Sequence, residues 1–412
     1  MEKAILVGLD YRNDEFFEET MEELENLAIA CDVEVQDKLI QKREAPTANY
    51  FIGTGKISEL KNLINLHDAN LVIFNDELSP SHIRNLEEKL EIKVIDRTVL
   101  ILDIFAKRAK TKEAMLQVEL AQSQYMLPRV VGMYKSLSRQ KSGTGSKGPG
   151  EQQLELDRRI LRDKITKLKR ELKELVKVRR TQRQKRSESA TKTVALAGYT
   201  NSGKSTLMNA IIKHSIQPEK DTMFSKDMLF ATLETKTRKI ELENNNNFLL
   251  TDTVGFIRML PHDLIEAFKS TLEEINEASL ILHVIDVSNP NFPHQIQSVE
   301  EVLQDLGVHE VPIIHVYNKI DLLTDIPNIP TSDSIFVSAK EDQNIKRLLE
   351  EIDRVLYKNI EVSMIVPYNN GNVFSDLKEN SKILEAMYFE DGIHIKAIIN
   401  EYYYQKYKQY II

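Results

Sequence analysis

The stretch GYTNSGKST, Gly198–Thr206, decides how this chain is read. It matches G-x-x-x-x-G-K-[ST] in full. It follows the apolar run TVALA (193–197) and opens the helical run TLMNAIIK (206–213). Strand, glycine loop and helix in that order make such a motif a phosphate cradle. Gly198 and Gly203 let the backbone curl through Tyr199, Thr200, Asn201 and Ser202, so that several N–H groups converge on phosphate oxygens. The following helix adds the positive end of its dipole. Lys204 is placed to reach the β- and γ-phosphates, and the Ser205 hydroxyl to ligate Mg²⁺.

Downstream of the cradle, NKID (Asn318, Lys319, Ile320, Asp321) ends the apolar strand PIIHVY. A carboxylate there can accept both N1–H and the exocyclic amine of guanine. Adenine presents no such pair, so Asp321 is expected to select GTP and GDP over adenine nucleotides. The stem of Lys319 can pack beside the base. SAK (Ser338, Ala339, Lys340) follows SIFV and is expected to bring backbone N–H groups near guanine O6.

DTVG (Asp252, Thr253, Val254, Gly255) ends the strand FLLT. Asp252 can hold Mg²⁺ through water, and the Gly255 N–H can bond a γ-phosphate, the arrangement by which a switch senses GTP. Between cradle and DTVG, LFATLETKTRK (229–239) is expected to close over the nucleotide with Phe230, Ala231, Thr232, Leu233 and Glu234. One of its threonines should complete the Mg²⁺ shell. Lys204 and Gly255 are candidate catalytic residues, Ser205 is a candidate metal ligand, and Thr232, Thr235 and Thr237 are the threonines from which the remaining metal ligand would come. After DTVG comes Phe256, which cannot guide a water by hydrogen bonding.

The rest of the chain divides around this centre. Residues 1–97 alternate apolar runs with amphipathic ones. ILVGL, VEV, YFIG, LVIF and KVI read as strands, FFEETMEELENLAIA and SHIRNLEEKL as helices, a pattern typical of an α/β domain. GTGK at Gly53–Lys56 lacks the four-residue spacer of a P-loop and reads as a turn before the helix KISELKNLI. Residues 98–190 read as a basic helical hairpin: a helix to about Met126, a glycine-rich loop at about 142–150, and a second helix from about Glu151 to Arg186. Leu154, Leu161, Ile165, Leu168, Leu172 and Leu175 make a heptad seam. Ile101, Phe105, Met115, Val118, Gln122 and Tyr125 are the expected facing stripe. Residues 191–358 form the nucleotide-binding domain. Residues 359–412 read as a small α+β module with a tyrosine-rich end, whose rings are expected to pack against the preceding domain rather than to stack on RNA.

Composition bounds the partners. Of 412 residues, 42% are apolar, and no run approaches a membrane span. A soluble cytoplasmic protein without stable membrane insertion is expected. The single Cys31 excludes an internal disulfide framework and sits in an apolar context. Lys107 to Glu188 holds 23 Lys/Arg against 9 Asp/Glu, a surplus of 14 in a chain of net charge −8, so the remainder carries −22. A basic block in an acidic protein points to a polyanion met at one place.

FATLETKTRK, DTVGFIRMLPHDLIEAFKSTLEE and GTGSKGPGEQQLELDRR together resemble the HflX family of ribosome-associated GTPases, within the translation-factor class. Thr-Lys stands after FATLE where members often have Pro-Thr; Thr232, within FATL, which the resemblance implies as the Mg²⁺ threonine and a catalytic residue, is untouched. The resemblance implies an α/β fold: a P-loop GTPase domain with an N-terminal α/β domain, a long helical hairpin and a small C-terminal α+β module. It implies GTP hydrolysis stimulated by the large ribosomal subunit and its ribosomal RNA, with no DNA partner, and the splitting of stalled or idle ribosomes under stress. Asn201 occupies the position at which some GTPases recruit K⁺ beside the phosphates. Three other functions are weighed: a GTPase of large-subunit assembly, an RNA-remodelling ATPase acting through GTGK, and a signalling scaffold whose heptad seam dimerises with another chain. A hairpin within one chain implies a monomer.

Overall fold

The computed structural model describes residues 2–11, 16–134, 149–187, 192–216, 236–242, 246–253, 255–258, 275–308, 311–325, 334–357 and 359–412. The chain falls into two compact units, one built mainly from Met1–Thr181 and the other holding the P-loop, NKID and the C-terminus.

In the first unit the elements are β1 (Glu2–Asp10), α1 (Phe17–Ala30), β2 (Val33–Lys42), α2 (Thr54–His67), β3 (Leu71–Phe74), α3 (Pro80–Leu90), β4 (Lys93–Asp96), α4 (Arg97–Arg108), α5 (Lys112–Tyr134) and α6 (Pro149–Ser187). The four strands pair in parallel in the order β2-β1-β3-β4. LVIF (71–74) is buried at every position, as a strand covered on both faces requires. YFIG, expected as a strand, is a turn instead: Thr47 and Phe51 exchange backbone hydrogen bonds, and Phe51 has φ +67°. A left-handed residue ends any strand there, however β-prone its neighbours.

Two buried charge centres hold the strand ends to the helices. Asp96 caps α4 through the Val99 N–H, and also accepts from the Leu78 N–H (3.0 Å), the Tyr125 hydroxyl (2.5 Å) and Arg129 Nη2 (3.2 Å). Arg97, equally buried, pairs with Glu23 and donates to Asn75 Oδ1 at 3.1 Å. Such charges persist inside a protein only with this degree of pairing. Cys31 is half-buried, and burial pushes its thiol up to about 11, so it is unreactive at neutral pH.

The helical hairpin closes within the chain. Leu116 and Leu120 of α5 pack with Leu168 of α6, flanked by Ile165, Leu172 and Leu175, and Lys164 pairs with Glu119 at 2.8 Å. Of the seam expected on α6, Ile165, Leu168, Leu172 and Leu175 take part, Leu154 lies outside the residues whose side chains are described, and the facing residues are Leu116 and Leu120 rather than the expected stripe. Met115 is exposed, and Tyr125 is turned to Asp96. The helix before the loop also differs: it breaks at 109–111 into α4 and α5, and α5 runs through Pro128 to Tyr134. Residues 142–148 of the expected glycine-rich loop lie outside the described residues, and α6 begins at Pro149, within the span expected as loop.

In the second unit β5 (Lys192–Ala197), α7 (Lys204–Lys213), β6 (Lys236–Glu241), β7 (Asn247–Asp252), β8 (Leu280–Asp286), α8 (Phe292–Asp305), β9 (Ile313–Asn318), β10 (Ser334–Phe336) and α9 (Ile345–Leu356) form a sheet of order β10-β9-β8-β5-β7-β6. All neighbours are parallel except the β6–β7 hairpin. The C-terminal module adds β11 (Ile360–Val366), α10 (Gly371–Asn380), β12 (Lys382–Phe389), β13 (Gly392–Ile399) and α11 (Glu401–Lys406), with an antiparallel sheet of order β11-β13-β12. Its terminal tyrosines, expected on the preceding domain, join the module's own core: Tyr403, Tyr404, Tyr407 and Tyr410 pack with Val362, Met364 and Ile395, and Tyr402 is exposed. Asn246, from the asparagine turn of the hairpin, donates to Asp353 (2.7 Å) and Asn359 (3.2 Å).

Candidate functional site

Parallel strands deliver their C-terminal ends to one edge of a sheet, where the loops that follow can meet a ligand. Here β5, β7, β8 and β9 end in Ala197, Asp252, Asp286 and Asn318. Each begins or borders a segment singled out in the sequence, or lies beside one.

The cradle is shaped by its glycines. Gly198 has φ +150°, and a side chain there would run into the carbonyl of Val284. Gly203 has φ +92° and abuts the Asn318 amide. No other residue type fits either place without strain. Lys204 is the first residue of α7. Its ammonium donates to the carbonyls of Gly198 (3.0 Å) and Tyr199 (2.7 Å). Burial draws its pKa down to about 8, with nearby Asp252 acting in the opposite direction.

The switch strand converges on the same point. Ser205 donates its hydroxyl to Asp252 Oδ2 at 2.8 Å, so two hard oxygen donors lie together as a divalent cation requires. Thr253 donates to the Leu196 carbonyl at 2.5 Å. A Cβ on Gly255 would sit 3.0 Å from Lys204 Nζ and 2.9 Å from Thr200 Cγ2, so glycine alone allows this approach. Phe256 is pinned to the cradle by its backbone. The Thr200 N–H donates to the Phe256 carbonyl (2.7 Å), and the Phe256 N–H donates to the Gly198 carbonyl (3.1 Å). Its ring is 3% exposed.

The base-reading segments are tied to the cradle by one amide. Asn318 donates through Nδ2 to the Ser202 carbonyl (2.9 Å) and accepts through Oδ1 from the Ala339 N–H (3.0 Å). P-loop, NKID and SAK are thereby held as a unit. Ser338 donates its hydroxyl to Asp321 Oδ1 at 2.6 Å, fixing the carboxylate. Lys319, with φ +68°, pairs with Asp286 at 2.7 Å. Ile320 is buried beneath the short 3₁₀ turn that carries Asp321.

Thus Gly198 to Ser205, Asp252, Thr253, Gly255, Asn318 to Asp321 and Ser338 to Lys340 stand around one sheet edge. Val254 and the segment Phe230, Ala231, Thr232, Leu233 and Glu234 lie outside the described residues. Two residues escaped the sequence reading. Asp286 ends the buried strand LILHVID on the same edge, and that terminal carboxylate was the available signal. His283 sits in the core between β5 and β9; burial, the neighbouring His315 and Lys204 hold it down to about 3, hence neutral. GTGK builds no comparable cradle: Gly53 has φ −71° and donates its N–H to Gln41 Oε1, while Lys56 pairs with Glu59 at 2.8 Å.

Residues 18–106 match a family model described as GTP-binding GTPase N-terminal, 108–186 a GTP-binding GTPase middle region, and 193–319 a 50S ribosome-binding GTPase. GTPase HflX of Caldanaerobacter subterraneus subsp. tengcongensis is 48% identical over 412 residues, 100% of this chain and 94% of that protein. The chain belongs to the HflX family of GTPases. GTPase HflX of Escherichia coli K12 is 39% identical over 398 residues, spanning 95% of this chain and 92% of its own. Among solved structures, a GTP-binding protein of the archaeon Sulfolobus solfataricus in complex with GDP is 26% identical, covering 86% of this chain and 99% of that one at a TM-score of 0.44. Membership of the HflX family accounts for the order of elements: an N-terminal α/β unit, a helical middle region, and a P-loop GTPase domain.

Proposed function

We propose that this HflX chain is a cytoplasmic GTP hydrolase that binds the large ribosomal subunit, is stimulated by it, and splits or rescues stalled and hibernating ribosomes under stress. The observation that carries the nucleotide half is the Asn318 amide, which ties the Ser202 carbonyl of the cradle to the Ala339 N–H beside the base site. It sets the distance between a phosphate reader and a base reader. The basic hairpin supports ribosomal RNA as the polyanion, and its seam within one chain supports a monomer.

In this reading Asp321, held by Ser338, accepts from N1–H and the amine of guanine. The P-loop N–H groups and Lys204 take the phosphate oxygens, the ammonium exchanging the carbonyls of Gly198 and Tyr199 for stronger anionic acceptors. The Gly255 N–H meets the γ-phosphate. Ser205 and Thr232 would ligate Mg²⁺, with Asp252 through water; the ion, when bound, offsets charge on the β- and γ-oxygens. Asn201, at φ +62° on the exposed lip of the cradle, would recruit K⁺.

Phe256 explains the need for a partner. Its backbone is bonded to Gly198 and Thr200, and its ring has no group to orient water. Hydrolysis by the isolated chain is therefore slow, and the ribosomal subunit supplies the missing positioning after Phe256 is withdrawn. Turnover measured with and without purified large subunits tests this: a rise of at least about a hundredfold is expected, and equal rates would refute it. Phe256→Gln retains stimulated turnover. At matched ionic strength, K⁺ supports faster hydrolysis than Na⁺. Binding to large subunits weakens steeply with salt, since Lys and Arg displace counterions from RNA.

A further inference from the structure

Asp286 is the last residue of β8, opposite Asn318 in the parallel register with β9, and so stands beside the residue that follows, Lys319. Its two carboxylate oxygens are spent differently. Oδ2 takes the Lys319 ammonium at 2.7 Å. Oδ1 accepts from the Ser288 N–H (3.1 Å) and the Ser288 hydroxyl (2.5 Å). Both partners of the ion pair are largely shielded from solvent, at 23% and 17% side-chain exposure. The backbone register is closed beside them by the Val287 N–H donating to the Asn318 carbonyl (3.1 Å).

Lysine has a flexible four-carbon stem, and fixing its rotamers costs conformational entropy. A stem that must lie flat beside a purine ring bears that cost on binding unless something already holds its end. Asp286 is such a holder, and Ser288 in turn fixes the carboxylate. The left-handed backbone of Lys319 directs the stem from the strand end, and Asp286 sets where it finishes.

We propose that Asp286 is a positioning residue for the base site: by pinning the Lys319 ammonium it pre-orders the lysine stem as one wall of the slot for the purine ring. This rests on NKID being the guanine reader. Its signature differs from that of Asp321. The wall touches the ring face, which guanine and hypoxanthine share, whereas Asp321 reads the exocyclic amine that hypoxanthine lacks.

The test uses the full chain and competition of GDP and inosine diphosphate against a fluorescent GDP. Asp286→Ala weakens both ligands by about tenfold, the scale of ordering one lysine side chain. Asp321→Asn penalises GDP more than inosine diphosphate. Lys319→Met weakens both ligands as Asp286→Ala does, and the double variant is no weaker than either single one. Asp286→Asn, which keeps an acceptor, falls between wild type and alanine. In hydrolysis, Asp286→Ala raises KM while kcat at saturating GTP stays within about twofold. Ser288→Ala keeps the pair and costs less than about twofold. Additive single effects would overturn the proposal, as would a Ser288→Ala loss equal to that of Asp286→Ala, which would make Asp286 an anchor of the turn alone. A silent Asp286→Ala beside a damaging Lys319→Met would also refute it. A silent Lys319→Met and a silent Asp321→Asn together would instead remove the underlying guanine reading.

Discussion

Two glycine-lysine turns open helices in this molecule, and they behave as different objects. At 198–205 the backbone is left-handed at Gly198, Asn201 and Gly203, and the lysine is buried with its ammonium on two carbonyls. At 53–56 the first glycine is extended, the second has open space around it, and the lysine meets a glutamate one helical turn on. The residue types are shared; the spacer is not. Four residues between the glycines allow a loop wide enough to surround a phosphate, whereas one residue allows only a helix start. Spacing, more than composition, makes the site.

The sharpest way to break this contrast is to remove each lysine. Lys204→Ala should lower GTP turnover by about a hundredfold or more, the loss seen when one donor to a developing charge is deleted. Lys56→Ala should leave nucleotide binding unchanged and shift stability by less than about 1 kcal/mol, as an exposed ion pair does. Nucleotide retention and thermal melting read the two effects.

The glycines give the next largest effect, with opposite signs. Gly198→Ala meets the Val284 carbonyl in a left-handed conformation and should destabilise its unit by about 1–3 kcal/mol. Gly55→Ala, with nothing within 4 Å of the new methyl and a helix around it, should stabilise by about 0.5–1 kcal/mol. Denaturant unfolding of the two variants compares them directly.

The pH dependence is smaller per unit. The folded pKa of Lys204 is lowered to about 8 from 10.5. Between those values the unfolded chain binds more protons than the folded one. The burden of burying the ammonium is therefore present below pH 8 and is relieved as pH rises toward 10.5. Nucleotide affinity runs the other way. A phosphate beside Lys204 favours the charged form, so GDP binding takes up a proton, and affinity should fall by at most about tenfold per pH unit above 8. Calorimetry in two buffers of different ionisation enthalpy measures that proton.

Most of the site was legible because it is written in short motifs with fixed strand context: the P-loop, DTVG, NKID and SAK all end or follow buried apolar strands. The α/β alternation was legible for the same reason, since LVIF and LILHVID admit few structures other than buried strands. What the letters concealed were relations between distant residues. Asn318 bridging Ser202 to Ala339 spans 116 and 21 positions. The Asp286–Lys319 pair depends on the register of β8 against β9. YFIG failed as a strand because β-propensity cannot show a left-handed backbone at Phe51. The facing stripe on α5 slipped because its apolar residues serve two neighbours, Leu116 and Leu120 toward α6 and Tyr125 toward Asp96.

One core cluster of the first unit is assembled from residues between Ile5 and Val94. During synthesis, every apolar residue of that cluster has left the peptidyl transferase centre while Lys204 is still about 110 codons away, roughly 5–20 s at about 5–20 residues per second. The apolar residues of that cluster are thus all present in the growing chain before the phosphate cradle has been made.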